Sequence, residues 1–284
     1  MNLHPCFITV ILLSVITSIG YAQNGPTTGP ENGSLVVVGG GKVGETIWKR
    51  FIDLAGGPDV PMVVIPTAGG GSEYGQDAGG ASALREAGAT NVTVLHTTDP
   101  EEANSDKFIH PLQDARAVWF SGGRQWRLVD AYANTKTEAM FWQVLERGGV
   151  IGGSSAGATI QGSYLARGDT KNNQIMMGDH EEGFGFIKNI AIDQHVLARN
   201  RQFDLFDILK NRPELLGVGI DESTAMVVQG DEFEVLGASY VLVYDNTFWS
   251  REGSDLKHLP ASDKLFYMLR EGDRYNMKKR EIIE

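Results

Sequence analysis

The sequence predicts an α/β protein built on a doubly wound, mostly parallel sheet with a C-terminal antiparallel extension. Short apolar runs alternate with longer segments of helical periodicity, which is typical of parallel strands covered by helices on both faces. Several of these runs lead directly into Gly-rich or polar turns. After residue 215 the pattern changes to closely spaced strand-like runs, and these predict the antiparallel extension.

The elements follow in order along the chain. The predicted parallel strands are the apolar runs 34–38, 60–66, 91–95, 117–120 and 149–152. The predicted helices are the segments of helical periodicity 45–54, 74–87, 99–106, 125–134 and 137–147, and a helix-compatible segment covers 159–165. The antiparallel extension is predicted from the runs 217–220, 225–229, 234–236 and 240–244.

Four turns follow directly after predicted strands, at 39–41, 67–71, 121–123 and 153–155. The carboxyl ends of parallel strands meet at one edge of a sheet, where ligands bind in doubly wound folds. We therefore expect these turns to surround one site. The sequence Gly39-Gly40-Gly41-Lys42 fits neither nucleotide-binding glycine pattern. Glycine there instead indicates close approach of the backbone at the mouth of the site.

The first 22 residues predict a secretory signal peptide, because an apolar stretch at 7–19 is followed by small residues before Gln23. The Gly/Pro-rich segment 23–33 is predicted to be a flexible spacer, and 34–284 a single domain. The only cysteine, Cys6, lies within the signal, so the mature chain has no disulfide. The protein is expected to be secreted or periplasmic.

The net charge of −11 at pH 7 argues against nucleic acid or an anionic membrane surface as a partner. The histidines show no H-x-x-x-H spacing, and no carboxylate cluster has the spacing of metal ligands. We therefore expect no metal and no cofactor.

Residues 150–158 form an apolar run that enters a G-x-S-x-G turn and continues as a helix-compatible segment. Gly153 and Gly157 let the chain double back sharply, which holds Ser155 exposed as a nucleophile. The N–H groups at the start of the following helix, beginning with Ala156, can stabilise an oxyanion formed near Ser155.

A serine nucleophile needs a general base and an acid that orients it. After removal of the signal, the histidines are at 96, 110, 180, 195 and 258. His195 is the favoured base because the apolar run before it places it at the carboxyl end of a strand, on the same edge as Ser155; His180 is the alternative. The acid is assigned to Asp169, while spacing leaves five competitors open: Asp179, Glu181, Glu182, Asp193 and Glu222.

The segments 153–158, 121–125 and 193–195, with Arg199 and Arg201, together resemble the cyanophycinase and dipeptidase E group of serine peptidases, family S51. The similarity runs from about residue 34 to residue 229. The resemblance implies a flavodoxin-like fold, as in class I glutamine amidotransferases, with Ser155 as nucleophile and His195 as base. It also implies an oxyanion hole at Gly122 and Gly123.

The same resemblance implies substrate contacts at Gln125, Asp193 and Gln194. Arg199 and Arg201 are further candidates, because two guanidinium groups can receive a substrate carboxylate. Relatives tend to carry a glutamate as the third triad member after a Gly-Asp pair, where this chain reads Gly168-Asp169-Thr170-Lys171. This departure is why Asp169 is assigned as the acid.

The leading hypothesis is a secreted serine exopeptidase that hydrolyses aspartyl peptides or a cyanophycin-like polymer. One alternative is a catalytically silent binding protein, suggested by the altered region 169–171. The other is a secreted esterase of the α/β-hydrolase class, which the order of the candidate residues argues against. We expect a peptide or aspartyl polymer as the substrate, no nucleic-acid partner, no membrane partner after signal cleavage, and a homodimer as the candidate assembly.

Overall fold

The computed structural model describes residues 25–251 and 259–284, so the predicted signal peptide lies outside the described residues. Within them, the strands are β1 (Ser34–Val38), β2 (Met62–Ile65), β3 (Val92–Val94), β4 (Ala117–Phe120), β5 (Val150–Ser154), β6 (Gly162–Tyr164), β7 (Ile187–Gln194), β8 (Leu216–Ile220), β9 (Thr224–Gln229), β10 (Glu232–Gly237), β11 (Val241–Tyr244), β12 (Tyr267–Leu269), β13 (Arg274–Asn276) and β14 (Glu281–Ile283). The α-helices are α1 (Glu45–Ala55), α2 (Ala81–Glu86), α3 (Pro100–Ala103), α4 (Asp106–Gln113), α5 (Trp126–Tyr132), α6 (Lys136–Glu146), α7 (Ala156–Thr159) and α8 (Leu205–Asn211).

The main sheet has the strand order β14-β13-β10-β9-β1-β5-β4-β2-β3. The five strands from β1 to β3 in this order are parallel. Strand β9 pairs antiparallel with β1, and β10, β13 and β14 continue the antiparallel part. The predicted fold class is therefore confirmed.

A second sheet, of order β12-β11-β8-β7-β6, was not predicted. The runs 217–220 and 240–244 were expected to extend the main sheet, but they form β8 and β11 of this second sheet. Two glycines of β8 leave room for neighbouring side chains: a Cβ on Gly217 would lie 2.9 Å from the Tyr244 side chain, and one on Gly219 would lie 3.0 Å from the Val196 side chain.

The central strands of the main sheet, β1, β2, β4 and β5, are buried on both faces. Along β1, Leu35 and Val37 pack into one apolar cluster, whereas Val36 and Val38 pack into the cluster on the opposite face. This alternation follows from the two-residue period of a strand. Complete burial of each of these side chains contributes about 1.5–3 kcal/mol, so the central strands hold the site edge in a fixed position.

Several predicted helices are shorter in the structure. Segment 74–87 is helical only as α2, because Gly79 and Gly80 precede it with φ of 65° and 102°. Segment 99–106 divides into α3 and α4, and the Ser105 hydroxyl accepts from the Phe108 N–H at the start of α4. Segment 159–165 does not continue α7; its residues 162–164 pair with β7 as β6.

The predicted flexible spacer is held in place from residue 25 onward, which corrects that prediction. The Thr27 hydroxyl donates to the Asn189 carbonyl at 2.9 Å, and the Lys188 N–H donates to the Thr28 carbonyl at 2.8 Å. Thr27 is completely buried. Across the part of the chain that the structure describes, no helix has both the length and the apolar character of a membrane span.

Candidate active site

Ser155 lies between β5 and α7, with φ 58° and ψ −112°. A positive φ is unusual for a residue with a side chain, and the backbone at Ser155 is therefore strained. The Ser155 N–H donates to the Val38 carbonyl at 3.0 Å, which fixes the turn to β1. A Cβ on Gly153 would overlap the Gly157 backbone, and a Cβ on Gly157 would overlap the Phe120 carbonyl, so both glycines of the G-x-S-x-G pattern are required by close packing.

The imidazole of His195 meets the Ser155 hydroxyl, with 2.9 Å between Nε2 and Oγ. His195 follows β7 directly, as the sequence predicted, but β7 belongs to the second sheet and not to the sheet that carries Ser155. The His195 N–H donates to the Gly39 carbonyl at 2.8 Å. This bond joins the end of β7 to the turn after β1 and so brings the two residues together across the two sheets.

The acid beside His195 is Glu222, whose Oε1 lies 2.5 Å from Nδ1. The assignment of Asp169 to this position is wrong. Asp169 Oδ1 instead accepts from the N–H groups of Lys171 and Asn172, each at 2.8 Å, and so closes the turn that follows it. Glu222 stands just after the apolar run of β8, so the strand-end rule that selected His195 could also have selected Glu222.

The glycines at 39–41 leave the space that the side chains of His195 and Glu222 occupy. Gly40 has φ 124°, and a Cβ on it would overlap the His195 ring. A Cβ on Gly41 would lie 2.7 Å from Glu222 Oε2. The close approach expected at this turn is therefore made by the imidazole and carboxylate of the protein itself.

Burial lowers the pKa of His195 below its ordinary value, and the hydrogen bond to Glu222 partly offsets this effect. The positive charges of Arg199 and Arg201 lower the same pKa further. The lowered pKa favours the neutral form of the imidazole at pH 7. Because Glu222 accepts the proton on Nδ1, Nε2 is left as the acceptor for the Ser155 hydroxyl. This is the arrangement that a general base needs.

The turn predicted to form the oxyanion hole lies beside the nucleophile. A Cβ on Gly122 would lie 3.9 Å from Ser155 Oγ. Gly123 has φ 143° and packs against the carbonyl of Ala68, and the adjacent Arg124 N–H donates to that carbonyl at 2.8 Å. Ala156 begins α7 directly after Ser155, so its N–H is at the free end of a helix.

Gln125 and Asp193 lie in the protein interior, which corrects their predicted contact with a substrate. Both are completely buried. The Gln125 amide donates to the Ala166 carbonyl at 2.6 Å. The Asp193 carboxylate accepts a bidentate pair from Arg167, at 2.7 Å from Nε and 2.9 Å from Nη2. These side chains fix the segments around the site.

Of the remaining predicted substrate residues, only Arg199 is exposed. Arg201 is 4% exposed, and its Nη1 donates to the Gln194 side-chain oxygen at 3.1 Å. Gln194 is itself buried. The sequence also missed Arg167, a fully buried guanidinium that binds Asp204 as well as Asp193. An arginine between an apolar segment and a polar one gave no signal for this role.

His180, the alternative base, lies in a surface loop between Asp179 and Asp130, at 3.0 and 2.9 Å from their carboxylates. These two partners occupy both ring nitrogens, so His180 is not available to the Ser155 hydroxyl. Residues 25–251 and 259–284 contain no group of three His, Cys, Asp or Glu side chains arranged to hold a metal ion.

Comparison with known proteins gives consistent matches. The model of peptidase family S51 matches residues 35–236. The chain is 33% identical to a cyanophycinase from Geminocystis herdmanii over 265 residues, which cover 86% of this chain and 94% of the relative. It is 30% identical to a cyanophycinase from Trichormus variabilis over 268 residues, which cover 88% and 87%.

Two solved structures share the fold. A peptidase from an acI-B1 Actinobacterium has a TM-score of 0.63 and 25% identity, covering 86% of this chain and 97% of that one. A putative peptidase E protein from Listeria monocytogenes has a TM-score of 0.52 and 15% identity, covering 73% and 99%, a likeness of fold alone.

Proposed function

The chain belongs to peptidase family S51 and is a serine-type peptidase, and we propose that it hydrolyses aspartyl peptides or a cyanophycin-like polymer as an exopeptidase, through Ser155, His195 and Glu222. One observation carries the proposal: an unbroken series of hydrogen bonds from the Ser155 hydroxyl through the His195 ring to the Glu222 carboxylate. The hypothesis of a catalytically silent protein was suggested by the altered region 169–171, where relatives carry the acid. Because Glu222 supplies an acid beside His195, that hypothesis loses its support.

The reaction follows from this geometry. Ser155 Oγ attacks the carbonyl carbon of the scissile amide while its proton passes to His195 Nε2. Glu222 stabilises the imidazolium so formed. The negative oxygen of the tetrahedral intermediate is held by N–H groups of the Gly122–Gly123 turn and of Ala156.

As the intermediate collapses, the C–N bond breaks and the imidazolium gives its proton to the leaving amine. Water then loses a proton to His195 and attacks the acyl-enzyme, which releases the carboxylic acid and restores the Ser155 hydroxyl. The depressed pKa of His195 suits both steps, because it favours the neutral ring, which can accept a proton near pH 7.

The charges around the site favour an anionic substrate group. Arg199 is exposed and close enough to influence the pKa of His195, whereas the protein as a whole has a net charge of −11. A cationic patch in an acidic protein attracts a carboxylate to that position. The two cyanophycinases that resemble this chain support an aspartyl substrate that carries arginine.

We further propose that the protein is exported, on the basis of the apolar stretch at 7–19 and the small residues at 20–22. Expression of the full chain, followed by N-terminal sequencing of the extracellular or periplasmic form, tests this. A mature protein that begins at Gln23 supports export, and retention of the intact chain inside the cell contradicts it.

The catalytic proposal is tested by kinetics on cyanophycin, an α-aspartyl dipeptide and a simple aryl ester. We expect Ser155→Ala and His195→Ala each to lower turnover by about 10⁶-fold, as for the nucleophile and the base of other serine triads. His180→Ala is the matched control and should retain activity within about threefold, since both ring nitrogens of His180 are bonded to surface carboxylates. Rapid cleavage of the ester alone would instead favour an esterase, and no turnover of any substrate would favour a binding protein.

A further inference from the structure

An exposed strip of glycine backbone leads away from Ser155 along the site edge of the main sheet. Gly122 lies beside Ser155, and Gly123 packs against the backbone at Gly69. A Cβ on Gly69 would in turn lie 2.5 Å from the Tyr74 hydroxyl. All three glycines are exposed. The missing side chains of Gly123 and Gly69 would point at protein neighbours, so what these glycines expose to solvent is backbone, against which an extended chain of substrate can lie.

The strip ends at a cavity of about 460 Å³ next to the end of β3 and the start of α4. One wall is formed by the rings of Tyr74 and His96, which meet edge to face with centroids 4.7 Å apart. Phe108 lies on the apolar side. Three exposed charged side chains line the rest: Glu73, Glu102 and Lys107.

The aromatic wall is held by hydrogen bonds that are partly or fully buried. His96 Nδ1 lies 2.8 Å from the Thr67 hydroxyl, which lies 2.6 Å from the hydroxyl of the buried Tyr132. The Gly71 N–H donates to the Tyr74 hydroxyl at 2.8 Å. A wall fixed in this way needs little ordering when a ligand binds, which is a property of preformed binding sites.

The chemistry of the cavity suits an arginine that also carries a free carboxylate. A guanidinium binds to carboxylates and to aromatic faces, and the cavity offers Glu73, Glu102 and Tyr74 for this. Lys107 is placed to receive the carboxylate. Each unit of an arginine-bearing aspartyl polymer has both groups.

The distance from Ser155 gives the position of this unit in the substrate. The sheet order runs from β5 through β4 and β2 to β3, which is three strand spacings. At about 4.8 Å per spacing this is about 14 Å. An extended chain covers that distance in about four residues.

We propose that the cavity is a distal subsite that binds the arginine-bearing group of an aspartyl polymer about four residues from the bond cleaved. This inference rests on the proposed function, in which such polymers are substrates. It predicts that affinity rises with the length of the substrate, because only a long oligomer reaches both Ser155 and the cavity.

Binding to the Ser155→Ala protein tests the subsite without turnover. Fluorescence anisotropy would compare labelled aspartyl-arginine oligomers of about two and about eight backbone residues, since only the longer one spans the strip. In this background we would introduce Glu73→Gln with Glu102→Gln, which removes two charges but keeps the side-chain size. Glutamine at 102 also retains an oxygen to accept from the Thr97 hydroxyl. Glu86→Gln with Glu271→Gln is the matched control, because both are exposed carboxylates outside the cavity lining.

We expect the cavity pair to raise the Kd of the long oligomer about tenfold, as loss of charge-assisted bonds would, and to leave the Kd of the short one nearly unchanged. The control pair should change neither. Equal Kd values for the two oligomers, or an equal effect of both variant pairs, would overturn the subsite. Hydrolysis of the short oligomer by the protein with Ser155 intact tests the proposed function separately, so a failure of the function and a failure of the subsite give different results.

Discussion

Replacing Glu222 by glutamine removes the negative charge beside His195 while keeping an oxygen that can accept the Nδ1 proton. Glu222 Oε1 lies 2.5 Å from Nδ1, so it directly stabilises the imidazolium formed when Ser155 loses its proton. A hydrogen bond to a charged group contributes about 1.5–3 kcal/mol. The Glu222 side chain is 37% exposed, so solvent screens its charge and larger values are excluded. We therefore expect kcat/KM to fall about 10- to 150-fold, which corresponds to about 1.5–3 kcal/mol of transition-state stabilisation.

The pH dependence of the same variant gives an independent check. The base must be neutral to act, so kcat/KM falls as the pH drops through the pKa of His195. Glu222 raises that pKa, and its replacement therefore moves the acidic limb of the profile to lower pH. The assay is kcat/KM on an aspartyl substrate across pH, with Glu182→Gln as the control at an exposed carboxylate. The role of Glu222 is refuted if Glu222→Gln keeps more than about a third of the wild-type kcat/KM, or if its acidic limb moves to higher pH.

Four further predictions concern the surroundings of the triad. Asp169→Ala should lower the free energy of unfolding in urea by about 1–2 kcal/mol, because two N–H groups lose their acceptor. The folded variant should keep kcat within about threefold of wild type, and a large loss of kcat would show that Asp169 takes part in catalysis. Arg199→Ala should move the acidic limb of kcat/KM to higher pH, because a positive charge that lowers the pKa of His195 is removed; an unchanged limb would contradict this. Gly40→Ala should lower kcat more than about 100-fold, because the added methyl group displaces the imidazole of His195. Gly44→Ala is the control and should keep its activity, because Gly44 has open space around it and a φ of −69°. Equal activities of the two variants would rule out the steric role of Gly40. Asp193→Asn should lower the free energy of unfolding by about 3 kcal/mol, because it breaks a buried ion pair with Arg167. A loss below about 0.5 kcal/mol would show that the folded protein does not depend on this ion pair for its stability.

The nucleophile and base could be identified from local patterns because their positions depend on local geometry. Gly153 and Gly157 are fixed by one tight turn, and that turn also fixes Ser155. His195 followed from an apolar run ending in a polar residue. The same rule applied to β8 leads to Glu222, but the altered sequence at 168–171 drew the assignment to Asp169 instead.

The second sheet could not be predicted, because strand partners depend on the tertiary structure. The apolar runs that became β8 and β11 look the same whether they join the main sheet or a separate one. The burial of Gln125 and Asp193 could not be predicted for a related reason. A polar residue in a motif looks like a ligand-binding residue until its burial is known, and the partner of Asp193, Arg167, lies in another segment of the chain.

The most direct test of the account is to identify the residue that a fluorophosphonate probe labels. Mass spectrometry of the digested protein should find the adduct on the peptide that contains Ser155. No adduct should form in Ser155→Ala, and labelling should be much slower in His195→Ala, since the base that activates the hydroxyl is lost. An adduct on another residue, or a wild-type protein that is not labelled at all, would contradict the assignment of Ser155 as the nucleophile.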